Sequence, residues 1–395
     1  MTHYMLGEEQ PAWLALQQAL RAGAEFTGMD QARRALDVLE INPLAATADD
    51  RRRLEKQAAE NKDDSMALLR LAAIDQRDGR TDQAIASLQS VLQNNPKNVD
   101  ALIGLARLYV SKKDPAKALE LAKSARILAP DDGAVAQTLG RLAYELGDYA
   151  WSASLLQESV RKQSPTPDLL WDLALAVYSV GNVREADSAL RAALTPPADG
   201  AISLFTHAKD AQQFLELIQL AADPARASRQ TGRIAHLLEA QPDYVPALMV
   251  AGAIAEHAKE AAKAQQAYDQ ALVRFPAFLP AKARLAVLSS RKNEFDQRGY
   301  EFALQARTAD PTNPEIAQAL GILTYYKGDF ARAGALLTES AASRPGDAEL
   351  LFHLGLSLLK SNQAEEGRKN LQGALDAGLA GAAATEARRV LSEKK

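Results

Sequence analysis

The chain has 395 residues, 47% apolar and 24% charged, with no cysteine. That length suits two or three domains or one long repeat array, and the missing cysteines exclude disulfides, thiolate metal sites and cysteine nucleophiles. A net charge of −4 with a pI near 5.9 removes any general attraction to nucleic acid or anionic membrane. Aromatics are only 6% and alanine is abundant, a balance that favours closely packed helices over a sheet sandwich. No apolar run approaches the roughly 18 residues of a membrane span. The opening MTHYMLGEEQ has neither the basic nor the apolar region of a signal peptide. The compartment stays open: periplasm or cell envelope if the chain is a trimmed form, cytoplasm if Met1 is the native start.

Residues 1–63 hold three amphipathic stretches, 11–22, 30–41 and 49–60, with no fixed spacing, expected as an N-terminal helical cap or a diverged repeat. The run DDRRR at 49–53 reads as the solvated start of the third. From residue 64 a regular spacing sets in. Pro96 and Pro130, Pro242 and Pro276, and Pro311 and Pro345 lie 34 apart; Pro130 to Pro165 and Pro276 to Pro311 are 35. With each proline as position 32, position 8 is Ala72, Ala106, Gly140, Ala174, Gly252, Gly321 and Gly355. Position 20 is Ala84, Ala118, Ser152, Ala186, Ala264, Ala333 and Gly367, position 27 is less strict, with Val91 among alanines and serines, and position 7 is mostly leucine. Small residues let two helices approach closely while the leucine beside them fills the gap. Gly79, Gly147, Gly181 and Gly328 fall at position 15, where a first helix ends in a left-handed residue. Asp148, Asn182 and Asp329 follow as N-caps of the second helix, with Glu185 completing a capping box on Asn182. Lys113-Asp114-Pro115 makes the same turn with a cap and a proline.

A 34-residue helix–turn–helix period with this small-residue code resembles the tetratricopeptide repeat (TPR) family over roughly residues 64–380. The resemblance implies an all-α fold, a right-handed superhelical solenoid of TPR helix–turn–helix hairpins. Repeats 1–4 are expected over 64–198, an irregular fifth repeat with an insertion over 199–243, repeats 6–9 over 244–380, and a capping helix over 381–395. The insertion falls at 195–208, and the degenerate repeat is read as helices over 209–221 and 225–239, with Phe214, Leu217, Ile234 and Leu237 at core spacing and Gln230 at position 20. In the seventh repeat one extra residue falls near RKNEFDQRGY, with Tyr300 and Phe302 on the helix that follows.

No catalytic or cofactor set emerges. His3, His207, His236, His257 and His353 form no metal-ligand spacing, and there is no GxxxxGK[ST], GxGxxG or GxSxG. Asp131-Asp132 sits at a helix start, where carboxylates complement the dipole. The expectation is a protein that is not an enzyme and holds no cofactor or metal.

The resemblance implies a partner surface on the first (A) helix of each hairpin, at positions 2, 5, 9, 12 and 13. In this chain those include Arg107, Gln137, Arg141, Tyr144, Trp171, Tyr178, Tyr325, Tyr326 and Phe352. Trp171 and Tyr178, seven apart, share one helical stripe. Trp151 is expected to pack. A known TPR subtype clamps a carboxylate with Lys and Asn at positions 5 and 9; here those positions hold Leu69 and Ala73, then Ile103 and Arg107, so that clamp is absent, although Arg107 and Arg141 form a candidate anion-favouring patch. The leading reading is a non-enzymatic scaffold binding a protein segment. The closing stretch AELLFHLGLSLLKSNQAEEGRKNLQGALDAG is similar to bacterial TPR proteins associated with exopolysaccharide production and cell-envelope sorting, which implies an envelope setting. The alternatives are direct polysaccharide binding, with Trp171, Tyr178 and Asp168 as the first candidates, and a cytoplasmic TPR adaptor or regulator. An RNA reader needs a basic groove, which the charge opposes. Partner identity stays open, as does the choice between monomer and dimer.

Overall fold

The computed structural model describes residues 1–6, 9–22, 26–196 and 205–393, and every element among them is an α-helix. The chain forms two compact units, Met1–Ala176 and Val177–Lys395.

The first unit opens with α1 (Thr2–Leu6), α2 (Glu9–Arg21), α3 (Met29–Glu40) and α4 (Ala48–Glu60). Leu16, Leu39 and Leu54 share one apolar cluster with Met66 and Ile74 of α5 (Ser65–Arg77). Polar contacts fix the same joint: the Tyr4 hydroxyl donates to Asp64 at 2.8 Å, and Asp64 caps α5 through the Ala67 N–H. In the DDRRR run Asp49, Arg52 and Arg53 are exposed, as expected of a solvated face, but Asp50 and Arg51 are not. Asp50 completes a capping box with Thr47, and Arg51 crosses to the buried Asp75 at 2.6 Å, a carboxylate that also receives Arg80. The hairpins then follow: α5 with α6 (Thr81–Asn94), α7 (Val99–Ser111) with α8 (Pro115–Leu128), and α9 (Gly133–Glu145) with α10 (Tyr149–Lys162); the chain passes from the first unit to the second within α11 (Pro167–Ser179), and α12 (Val183–Ala193) belongs to the second.

The small residue at position 8 is explained by what faces it. A Cβ on Gly140 would stand 2.6 Å from the Leu156 side chain, and one on Gly252 would stand 2.3 Å from the Tyr268 ring. Ser152 adds a hydroxyl bond to the Gly140 carbonyl at 2.7 Å, so the short distance also satisfies a buried donor. At the turns, Gly79, Gly147, Gly181 and Gly328 have φ between 75° and 93°. Asp148, Asn182 and Asp329 accept the expected N–H bonds as caps. The capping box at Asn182 is only half formed. Its backbone N–H is taken by the Val177 carbonyl, so the Glu185 carboxylate accepts the Asn182 side-chain amide instead. Trp151 is 36% exposed at the outer start of α10, so it is not the packing residue expected.

In the second unit, residues 197–204, most of the expected insertion at 195–208, lie outside the described residues. The helix expected over 225–239 is broken. After α13 (Ala208–Ala222) come the short α14 (Pro224–Ser228) and α15 (Thr231–Ala240). Between them the Ser228 and Thr231 hydroxyls donate to the carbonyls of Pro224 and Ser228, competing with helix continuation. Four hairpins follow: α16 (Val245–His257) and α17 (Ala261–Arg274), α18 (Leu279–Ser290) and α19 (Gln297–Ala309), α20 (Pro314–Lys327) and α21 (Phe330–Ser343), α22 (Ala348–Lys360) and α23 (Ala364–Asp376). Finally α24 (Gly381–Ser392) buries Ala384 and Ala387 in a cluster with Phe352 and Leu371. Arg368 donates to the Leu391 and Glu393 carbonyls, satisfying the last turn of that helix.

Candidate functional site

The A helices carry the candidate surface in both units. In the first, Gln137 and Arg141 of α9 converge on Asp172 of α11, at 3.1 and 3.7 Å. Arg107 of α7 donates to the Thr138 hydroxyl at 3.2 Å. Desolvation among the A helices, together with the like charge of Arg141, pushes the Arg107 guanidinium below its ordinary value, while Asp100, Asp132 and Asp172 pull it back up. Burial and the like charges of Asp132 and Glu9 push the Asp100 carboxyl up. Carboxylates thus surround the two arginines, and the expected anion-favouring patch is not what this face presents. Tyr144 packs edge-on against Tyr149 across its own turn, and Trp171 is half-buried.

Tyr178 is 4% exposed. Its ring lies 4.9 Å from that of Phe214 and 5.0 Å from that of Phe278, and burial pushes its hydroxyl well above the ordinary tyrosine value. Beside it, a Cβ on Gly181 would stand 3.0 Å from the Pro280 side chain, so the turn after α11 lies directly against the start of α18. Tyr178 is therefore a packing residue, and the stripe it was to share with Trp171 ends before it.

The described residues of the second unit hold three adjoining depressions. One of about 420 Å³ is bounded by α13, α14, α16 and α18; one of about 290 Å³, mostly apolar, lies between Ile218, Met249, Ala283 and Ile316; one of about 710 Å³ runs from α16 to Ala383 of α24. Their walls recur at the same register positions. Met249 and Glu256 stand at positions 5 and 12 of α16, Ala283, Val287 and Arg291 at 5, 9 and 13 of α18, Glu315, Gln318 and Ile322 at 2, 5 and 9 of α20, and Phe352 at 5 of α22. Of the nine residues read from the sequence, Phe352 lines the 710 Å³ depression and Tyr178 the 290 Å³ one, although they are only 7% and 4% exposed. Tyr325 and Tyr326, half-buried, stack edge-on with each other and with His353, and the Tyr326 hydroxyl donates to Asn293 at 3.3 Å; His353 and Asn293 line the largest depression, the two tyrosines do not.

A polar network partitions the groove. Arg284 forks onto Glu256 at 2.8 and 2.6 Å and reaches Glu315 at 2.7 Å. The Tyr268 hydroxyl donates to Glu256 at 2.8 Å, and Arg291 stands 3.4 Å away. Burial alone would raise the Glu256 carboxyl; the Arg284 bonds and charge, with the Tyr268 hydroxyl, outweigh it and hold the group below the ordinary carboxylate range. Register counting through repeats 6 to 8 was the signal that would have found Met249, Glu256, Ala283, Val287, Arg291 and Glu315. Arg284, at position 6, carried none. Among the described residues no group of acids and histidines has metal-binding geometry, and no helix is long and apolar enough to cross a membrane.

Two family models, both described as tetratricopeptide repeat, match the chain, one at residues 76–142 and the other at 138–201 and 319–391. None of the curated proteins matches it. Among solved structures, the chain is similar to the APC/C hetero-tetramer Cut9–Hcn1, at 14% identity over 92% of this chain and 88% of that one, with a TM-score of 0.51. TTC0263, a thermophilic TPR protein in Thermus thermophilus, is 20% identical over 50% of this chain and 99% of its own, with a TM-score of 0.37. The TPR domain of P58(IPK) is 14% identical over 91% and 95%, with a TM-score of 0.32. The likeness to Cut9–Hcn1 is one of fold, an all-helical array of TPR hairpins; TPR repeats, which the family models match, form scaffolds suited to protein–protein interaction and are in general non-enzymatic.

Proposed function

We propose that this chain, a tetratricopeptide-repeat protein, binds a segment of a partner protein in the groove between the A helices of its second unit. One observation carries the reading: the three adjoining depressions are walled by the positions, 2, 5, 9, 12 and 13, that the register marks as the partner face. An apolar floor with a few fixed polar groups is the usual make-up of a binding cleft. The test is photo-crosslinking with a diazirine side chain at Ala283, in the groove, or at the outward-facing, exposed Val273. The same protein captured repeatedly at 283 and not at 273 supports the groove; capture at 273 alone, or equally at both, overturns it. The similarity of the closing stretch to bacterial TPR proteins of exopolysaccharide systems supports an envelope-assembly partner, and the identity of the captured protein decides that point. A polysaccharide ligand on the Trp171–Tyr178–Asp168 stripe is disfavoured, because Tyr178 is buried.

A further inference from the structure

The largest depression has rims of opposite charge. On the side of the α16–α17 turn and the end of α18 stand Lys259 and Arg291, with Glu256 between them; on the side of the α20 and α22 starts stand Glu315, Asp347 and Glu349, with Arg344 beside Asp347. Helix dipoles favour these signs at these ends. What they do not set is how much charge is left unspent. Lys259, held at a left-handed φ of 62°, makes no ion pair among the described residues. Arg291 is 51% exposed and has only a 3.4 Å contact to Glu256, a carboxylate already taken by the Arg284 fork and the Tyr268 hydroxyl. Opposite them, Glu315 is engaged by Arg284 and Asp347 by Arg344, but Glu349 makes no ion pair among the described residues. Between the rims the floor is apolar: Val287, Ala319, Ile322 and Phe352.

Resting on the groove reading above, we infer that the occupant is a bipolar segment: an acidic side chain at the Lys259–Arg291 rim, apolar side chains over Val287 and Ile322, and a basic side chain at Glu349. Opposed charges fix the direction in which the segment crosses, and a like-charge mismatch at either rim rejects the wrong sequence.

The test uses the full chain and three fluorescein-labelled peptides with a common Leu-Ala-Ala-Leu core, flanked by Glu and Lys, by Glu at both ends, or by Lys at both ends. Anisotropy titrations at low salt are expected to show the Glu/Lys peptide binding at least about tenfold more tightly than the other two, with the advantage shrinking at high salt. Lys259→Glu with Arg291→Glu moves the preference to the Lys/Lys peptide, and Glu349→Lys moves it to the Glu/Glu peptide. Arg291→Gln, the milder variant, lowers the preference without reversing it, so the proposal stays testable if a reversal unfolds the chain. Equal binding of all three peptides, no binding of any, or a preference unmoved by reversal overturns the bipolar assignment. Ala383→Trp, which crowds this cavity, separates the two claims. If the peptides bind alike yet are lost in that variant, the groove stands and only its polarity fails; if binding survives it, the peptides sit elsewhere and the groove reading fails with it.

Discussion

At the scale of single residues, the left-handed turn positions show what the backbone demands. Four glycines satisfy the demand, but Lys113, Lys259, Asn293 and Asn362 meet it with φ between 56° and 62°. A side chain there costs about 1 kcal/mol against glycine, partly offset by the greater entropy glycine brings to the unfolded chain. Lys113→Gly is expected to raise stability by about 0.5 kcal/mol, read as a higher urea midpoint at constant slope; an unchanged or lower midpoint contradicts it. His353 is buried, its Nδ1 facing the Glu349 carbonyl at 2.9 Å. A carbonyl only accepts, so Nδ1 carries the proton and Nε2 is a bare acceptor, buried without a partner. Burial pushes the imidazole below its ordinary value, partly offset by the Glu349 carbonyl. Because the folded value is depressed, the unfolded chain takes up this proton first. Stability is full above about pH 6.5 and falls as pH drops towards the folded value, by at most about 1.4 kcal/mol per pH unit. Urea unfolding at pH 7.5 and 5.5 should show a larger loss for the parent than for His353→Phe; equal losses rule this out.

At the scale of helices and hairpins, contacts explain both what the sequence makes legible and what it hides. The hairpins were legible because their code is steric: Gly140 and Gly252 are small because Leu156 and Tyr268 occupy the space a Cβ needs. Gly252→Ala is expected to cost about 1–3 kcal/mol by forcing Tyr268 aside, and to loosen the hydroxyl bond Tyr268 makes to Glu256. A thermal shift indistinguishable from the parent's would show that the ring can move freely. The break between α14 and α15 was hidden, because it turns on two hydroxyls finding carbonyls, which apolar periodicity does not report. The Arg51–Asp75 pair was hidden for a related reason: a run of charges looks solvated until the helix it docks against is in place. Glu256 is the electrostatic counterpart in the groove, its side chain only 8% exposed and held by Arg284. Glu256→Gln leaves Arg284 with Glu315 alone and is expected to destabilise by roughly 2 kcal/mol, less than the loss of a wholly buried pair because Arg284 still meets solvent. A loss under about 0.5 kcal/mol would mean Glu315 suffices.

At the scale of the molecule, the surface that recognises a partner follows from repetition. Each hairpin contributes the same few A-helix positions, and in the second unit their apolar members make one floor while Glu256, Arg284 and Glu315 divide it. The nine residues singled out from sequence favoured aromatics and arginines, the common hot-spot types. Tyr178 and Phe352 proved buried because a large ring on such a position packs against the neighbouring helices before it meets a ligand. The small and aliphatic positions, Ala283 and Val287, form the groove instead. The most direct measurement of this account is the affinity of the partner captured at Ala283 for Ala283→Trp, which fills the 290 Å³ depression, and for Val273→Trp on the outer surface, both confirmed as folded by helical circular dichroism. The account predicts at least about a tenfold loss for the first and none for the second; equal affinities, or a loss confined to Val273→Trp, would contradict it.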